Sequence, residues 1–424
     1  MKKLFIGLLV IIVVFVLLLY WSLSSTDKQF KRNELINIDS VESINFKDYD
    51  SVMVAASTLY DADEIKRLMQ GEHYRKVWAA PVKVPVVFLD TLFGGVTIIE
   101  EGGGKQTHSL KLKADNGVLY TLRSINKDPQ PLIPEFAKTL GIENIIVDGI
   151  SAQHPYGALL AAKLSEAIDV LHTNPKVVFL PKQEQLKSFN AKFGNRIFLL
   201  EYETESDVNW TDYTNIIKIV DSEDLQQLKL EHGTNLNIDK QLLIRARLFD
   251  FLIGDWDRHS KQWGWAVQQR ADKYLALPIA GDRDNAFFDT DGIIPSILSN
   301  KNVVPELRPF EDDIDFLEGL VYPFDRYFLL NSPEELFVTE ALHLQMVLTD
   351  DVIDEALSVW PTNIVDLSGK EITAKIKSRR DKLLEYAKGF KQEIDRQGQL
   401  DDHLKGSEDL NLPAHLKQCF DCEP

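Results

Sequence analysis

The 424 residues carry 47 Lys and Arg against 65 Asp and Glu, a formal net charge of −18. A chain this acidic repels phosphate backbones, which argues against nucleic-acid binding. Hydrophobic residues at 44% and charged residues at 26% are globular proportions and exclude wholesale disorder. Only Cys419 and Cys422 could bond, so an apolar core must hold the body, in two or three folding units at roughly 100–200 residues each.

The first predicted element is an uncharged apolar run from Leu4 to Trp21, behind Lys2 and Lys3. It approaches the ~20 residues that span a bilayer and exceeds the ~7–15 of a signal-peptide core. Tyr20 and Trp21 sit where interfacial aromatics belong. No small-x-small cleavage site precedes Ser24 and no lipidation cysteine follows. Residues 1–23 therefore read as a retained transmembrane signal anchor rather than a cleaved signal peptide, and 24–45 as a polar tether. Lys2 and Lys3 favour an inside N-terminus, although Lys28, Lys31 and Arg32 weaken that bias. The expected location is a bacterial inner membrane, crossed once, with the body outside the cytoplasm and the membrane as a partner.

Strand signals gather next. The stretches 84–89 and 96–100 are β-branched, while 109–113 and 118–123 alternate with period two around Asn116-Gly117, a strong hairpin signal. Residues 96–125 are expected to form three consecutive antiparallel strands, with the glycine-rich turn 101–106 between the first two. A helix is expected near 155–170, on the stripe Leu159, Leu160, Leu164 and Ile168. Short strands follow at 176–180 and 196–201. After about 205 the chain is expected to turn mostly helical. Leu242, Ala246, Phe249 and Ile253 form one stripe. Ser332-Pro-Glu-Glu335 and Ser368-Gly-Lys-Glu371 read as capping boxes, the second opening a helix to about 395. The basic run Lys375, Lys377, Arg379, Arg380 and Lys382 reads as that helix's solvated face. The tail 396–424 ends in Cys419-Phe-Asp-Cys422, a small local disulfide or an inert end.

The segment richest in chemistry closes the 242–253 stripe: Asp250-Phe-Leu-Ile-Gly-Asp-Trp-Asp257-Arg258-His259-Ser-Lys-Gln262. Two strands follow, 263–267 and 274–279, and then Gly281-Asp282-Arg283-Asp284-Asn285-Ala-Phe287. A hairpin would thus bring two carboxylate clusters together. Clustered carboxylates are costly to bury unless a cation neutralises them, and Mg²⁺ takes oxygen ligands that it shares with phosphates. The histidines make no HxH or HExxH, and no GxSxG or Walker A stands in a credible context, so a zinc hydrolase or serine hydrolase is not expected.

These residues resemble the atypical branch of the protein-kinase-like superfamily, which includes the phosphatidylinositol 3- and 4-kinases, HipA kinases, CotH spore-coat kinases and secretory casein kinases. Asp257-Arg258-His259 is similar to the start of their catalytic loop, and Gln262 stands where the metal-binding Asn is usual. The resemblance implies an α+β fold of two lobes, a small antiparallel-sheet N-lobe (46–203) and a larger helical C-lobe (204–395). It implies Asp257 as the residue that takes the acceptor's proton, within a catalytic group Asp257, Arg258 and His259, with His259 holding the loop. Gln262 with Asp282 or Asp284 would hold Mg²⁺ or Mn²⁺. Gly102, Gly103, Gly104 and Lys105 resemble the glycine-rich loop. Arg123, or Lys127 or Lys105, would take the place of the phosphate-bridging lysine. Its glutamate partner would be Glu166, or Glu135, and Glu201 and Tyr202 would lie in the adenine hinge. His154 is read as packing, or as a substrate contact. The cofactors implied are ATP or another nucleotide and a divalent metal; the phosphoryl acceptor is unknown. The departures at Gln262 and Arg123 keep a second reading open, a pseudokinase serving as a membrane-anchored scaffold, and AMP transfer is a third. Tyr74-Arg-Lys-Val-Trp78, His154-Pro-Tyr-Gly157 and Gly254-Asp-Trp-Asp-Arg-His259 together also resemble an uncharacterised bacterial envelope family over roughly 50–395, which implies no reaction.

Overall fold

The computed structural model describes residues 1–24, 33–36, 44–103, 107–128 and 133–423. Helix α1 (Lys2–Leu23) leaves its apolar side chains exposed along most of its length. It is long and apolar enough to span a membrane, a test that a signal sequence also meets. Its last turn is tied to the body: the Tyr20 hydroxyl donates to Leu140 O at 2.7 Å and Asn144 Nδ2 donates to Leu23 O at 2.8 Å.

Three sheets follow. The first joins β1 (Glu34–Leu35), β2 (Ser51–Ala55) and β3 (Pro81–Pro85), all antiparallel. Strand β3 is shifted from the predicted 84–89. The second contains β4 (Val96–Gly102), β5 (Ser109–Ala114), β6 (Leu119–Ser124), β7 (Lys176–Leu180) and β8 (Arg196–Tyr202), in the order β4-β5-β6-β8-β7. Every pairing in it is antiparallel, and β4 to β6 are the consecutive strands expected from the alternation. Leu110, Leu112 and Ala114 turn inward from β5. Gly117, at φ +88°, takes the left-handed turn and donates its N–H to Ala114 O. Helix α2 (Gly157–Ala167) lies between β6 and β7 and buries Leu160, Ala161 and Leu164.

After 205 the chain is mostly helical, as expected, and it also holds a third, four-stranded sheet, of which only the two hairpin strands were expected. That sheet contains β9 (Ile216–Asp221), β10 (Leu236–Ile238), β11 (Trp263–Arg270) and β12 (Lys273–Ala280), in the order β10-β12-β11-β9. Helix α3 (Lys240–Ile253) packs against it. Asp239 caps α3 by accepting the Leu242 N–H at 3.0 Å. Helices α4 (Glu334–Val347), α5 (Lys370–Asp381) and α6 (Leu383–Gln397) surround α3. One core cluster runs from Val82 on β3 through Leu164, Phe249 and Trp265 to Phe390 on α6.

Neither capping box forms. Helix α4 begins after Pro333 without a side-chain cap, and the Ser332 hydroxyl is buried without a partner. Ser368 instead donates to Ile364 O within a wide π-type turn, Val365–Gly369, that runs into α5. The predicted helix to about 395 is broken at Lys382. The basic run is not one solvated face either. Arg379 is buried and donates to the carbonyls of Phe251, Pro309 and Glu311. At the C-terminus Cys419 and Cys422 are bonded. Phe420 is buried against Tyr327 and Phe328, so this end is packed rather than inert.

Candidate active site

Helix α3 delivers Asp250 in its last turn and stops at Gly254, whose φ of +64° ends the helix while its N–H donates to Asp250 O. A Cβ at Gly254 would meet Phe310 at 2.6 Å, so only glycine fits. The loop to Gln262 then enters β11. Trp263 pairs with Ala280 at the open end of the β11–β12 hairpin, which sets Gln262 beside Gly281. The Gly281 N–H donates to Gln262 O at 3.0 Å, and Arg258 Nη1 donates to Gly281 O at 2.8 Å. The hairpin thus joins the two acidic segments at its base, as the spacing predicts.

Most of their charge is neutralised by the chain's own cations. Asp250 is fully buried among three guanidinium groups. Arg247 Nη1 lies 2.9 Å away, Arg258 Nε 3.2 Å and Arg283 Nη2 2.9 Å. Burial alone would raise its pKa, but Arg258, Arg283 and Arg247 outweigh that and hold it below the usual carboxylate range. Arg247 also grips Asp325, with Nε to Oδ1 at 2.6 Å. Burial holds the neighbouring Asp255 well above its usual value, although Arg258 stands 3.5 Å away.

From the second acidic segment Asp282, but not Asp284, faces a polar cleft of about 240 Å³, lined also by Arg123, Thr173, Glu201 and Gln262 among others. Arg123, on β6, donates from Nη1 to Asp282 Oδ2 at 2.6 Å, and its Nε lies 3.5 Å from Glu201 Oε2. Burial would lower its pKa, and Asp282 with Glu201 reverses that. Glu201 accepts from the Thr173 hydroxyl at 2.7 Å, and burial holds its carboxyl above the usual range. Lys127 pairs with Asp284, whose pKa is raised by burial and by Asp282. Asp282 sits at φ +50°, a strained backbone for a residue with a Cβ. Its Oδ1 is buried with no partner.

Asp257, 28% exposed, stands on the loop before Gln262 and outside the cavity lining. His259 Nδ1 accepts the Lys261 N–H at 3.2 Å, so its proton belongs on Nε2, 3.6 Å from Asp257 Oδ1. Burial lowers the His259 pKa. At 3.6 Å the ring faces the carboxylate without a hydrogen bond to it.

Several predicted assignments need correction. Glu166 is not the partner of Arg123: it is half exposed and pairs with Lys163 at 2.7 Å, and the carboxylate beside Arg123 is Glu201. Glu135, the alternative, pairs with Lys138 at 2.8 Å. Arg258 is fully buried, with Nε on Asp250 and Nη1 on Gly281 O, and so ties the loop to the base of the hairpin. Gly102 and Gly103 do not line the cleft, and Gly103 has a φ of +131°. Gly104 and Lys105 lie outside the described residues. Glu201 and Tyr202 do line the cleft. However, the Tyr202 N–H already donates to Thr173 O and the Glu203 N–H to Leu119 O, so neither is open to an adenine. His154 is buried and stacked on Trp360, with its pKa pushed down to about 3 by burial, as a packing residue would be. Thr173, Glu205 and Lys261 line the cleft without having been anticipated. Thr173 follows a helix in a polar His-Thr-Asn run that carries no motif.

Among the described residues no three His, Cys, Asp or Glu side chains gather as a metal site. The donors that fit a divalent cation are the orphaned Asp282 Oδ1 and the Gln262 amide, a sparse set of the kind Mg²⁺ completes with phosphate and water.

No family model matches the chain, and no curated protein matches it. Two bacterial proteins are among the solved structures similar to it. One is the Helicobacter pylori proinflammatory kinase CtkA, at 14% identity over 70% of this chain and 96% of that one, with a TM-score of 0.36. The other is HipA of Shewanella oneidensis, in its complex with HipB and operator DNA, at 11% identity over 70% of this chain and 67% of that one, also at 0.36. At that distance neither lends a residue role or a reaction to this chain, whose own geometry has to supply both.

Proposed function

We propose that the chain is a kinase-like phosphotransferase that moves a phosphoryl group from ATP or another nucleotide to an acceptor hydroxyl. One observation carries the reading. Arg123 of β6 meets Asp282 in a polar cleft whose floor is the base of the β11–β12 hairpin, with Gln262 alongside and Asp257 on the adjoining loop. The cleft would lie between two lobes, 46–203 and 204–395. Arg123 would bridge the nucleotide phosphates once Asp282 turns to a cation. Asp282 and Gln262 would hold Mg²⁺ or Mn²⁺, which supplies charge neutralisation at the phosphates. Asp257 would accept the proton as the acceptor oxygen bonds to phosphorus and the bond to the nucleotide's leaving oxygen breaks. Asp284, held by Lys127, would support the second wall. The body would sit outside the cytoplasm on its membrane anchor, a placement that reporters fused on either side of α1 would check.

The test uses the full-length protein in lipid nanodiscs with γ-labelled nucleotide and Mn²⁺. Transfer of label to protein, lipid or sugar, lost in Asp257→Ala and Asp282→Asn, is the expected result. Absence of any nucleotide–metal binding sinks the proposal. A scaffold reading is favoured by Arg123, which is held by two carboxylates, and by Gln262 in place of the usual Asn. No thermal shift with nucleotide and Mn²⁺ would support that reading, and a shift without transfer of label would leave nucleotide-dependent sensing.

A further inference from the structure

A second cavity, of about 460 Å³, lies across the segment 172–175 from the cleft. Its walls are apolar: Val84 from β3, Leu159 and Ala162 from α2, Val177 from β7, and Trp360. Its size falls in the range of small-molecule sites, roughly 300–1,000 Å³. Its polar groups are mainly donors. Tyr156 lines it, is 2% exposed, and keeps a buried hydroxyl with no protein partner. His172 Nδ1 accepts the Asn174 N–H at 3.1 Å, so its proton sits on Nε2, and burial lowers its pKa to about 4. Lys83, Lys163 and Lys176 contribute to the lining against one acid, Glu166, which Lys163 already pairs. Apolar walls with surplus positive charge complement a ligand that has an apolar body and an anionic head.

The wall is shared. Thr173 faces the other way, lining the cleft and donating to Glu201 Oε1. Its carbonyl accepts the Tyr202 N–H at 2.9 Å, and Leu171 O accepts the Ala280 N–H at 3.0 Å, two residues before Asp282. One segment therefore lines both cavities and is bonded to the strands on either side of Arg123 and Asp282.

We propose that this second cavity binds a small single-chain amphiphile with a carboxylate or phosphate head, and that residues 171–174 transmit its occupancy to the cleft. The binding itself does not depend on the cleft's chemistry; the meaning of the transmitted signal rests on the phosphotransferase reading.

The test titrates brominated undecanoate and brominated undecyl phosphate into the full-length protein in zwitterionic nanodiscs, reading tryptophan fluorescence. Trp360 should be quenched saturably, above the linear quenching that membrane partition gives α1. Ala162→Phe, which fills the cavity, should remove the saturable component. The exposed pair Lys83→Glu and Lys176→Glu, which leaves the core untouched, should weaken it several-fold, and brominated undecanol should bind several-fold more weakly. Amide exchange at Tyr202 and Ala280 should slow with occupancy. Quenching that stays linear, or is unchanged by both sets of substitutions, overturns the site. Equal binding of the alcohol overturns the anionic class. Unchanged exchange at Tyr202 and Ala280 overturns the transmission. Saturable quenching in a protein that binds no nucleotide would retire the phosphotransferase reading and leave the amphiphile site standing.

Discussion

The chain builds two carboxylate–cation assemblies within a few residues of each other, and they differ in almost every physical respect. Around Asp250 the charges are fully buried, and three guanidiniums share one carboxylate with Asp325 and Asp255 close by. In the cleft, Arg123 and Asp282 are 24% and 20% exposed, and while Arg123 also nears Glu201, Asp282 Oδ1 is left without a partner. Desolvated charges in a closed network cannot exchange partners cheaply, whereas a part-solvated pair can. The first assembly is therefore a fixture that holds the loop. The second is available for a ligand, although both are made of the same residue types.

The sharpest way to break this contrast is to remove a guanidinium from the fixture. Arg247→Ala strands Asp325 and takes one of the three guanidiniums from Asp250, and should cost about 3–5 kcal/mol in denaturant unfolding; a loss below about 1 kcal/mol would mean the network is not structural. In the working group, Asp257→Ala should lower phosphoryl transfer by about 10²-fold or more, with the unfolding midpoint scarcely moved. If the two effects trade places, the assignment of fixture and working site is reversed.

A smaller effect concerns Asp289, just beyond the cleft segment. Burial, with Asp291 beside it, raises its carboxyl from 3.8 to about 6. A raised acid pKa favours the fold while the proton is bound. Its stabilising contribution is therefore complete below 3.8 and is lost as pH climbs through 6. Asp289→Asn should gain on the wild type between those pH values by on the order of 1–3 kcal/mol, measured by denaturant unfolding at each pH. A flat difference would show that Asp289 titrates normally. Smallest of all, Glu166→Ala breaks a pair that is 44% and 51% exposed and should change stability by no more than about 0.5 kcal/mol. A larger loss would restore Glu166 to a structural role.

The β4–β6 strands and the β11–β12 hairpin were legible because their signals are local: period-two alternation, Asn116-Gly117, and two strands separated by a tight turn. The same hairpin made the meeting of Gln262 with Asp282 legible. Strand β9 was not, since Ile-Ile-Lys-Ile-Val is too short a run for its period to separate strand from helix. Nor were the partners of the acids. Arg247 reaches Asp325 across 78 residues and Arg123 reaches Asp282 across 159, and no local pattern encodes such pairings. The sequence suggested acids in need of a metal, when most of that charge is met by arginine and lysine. The capping boxes failed for a different reason: Ser332 and Ser368 carry the right spacing, but helix packing starts one helix at Pro333 and runs a turn straight through the other.

The base of the β11–β12 hairpin carries one more consequence. Gly281 is held from both sides, its amide by Gln262 and its carbonyl by Arg258, and Arg258 is itself locked to Asp250. The loop bearing Asp257 and the segment bearing Asp282 are therefore tied together through Gly281. If the cleft lies between two lobes as proposed, widening it would move the β6–β8 side that carries Arg123 and Glu201, and the Arg123–Asp282 contact would have to part first.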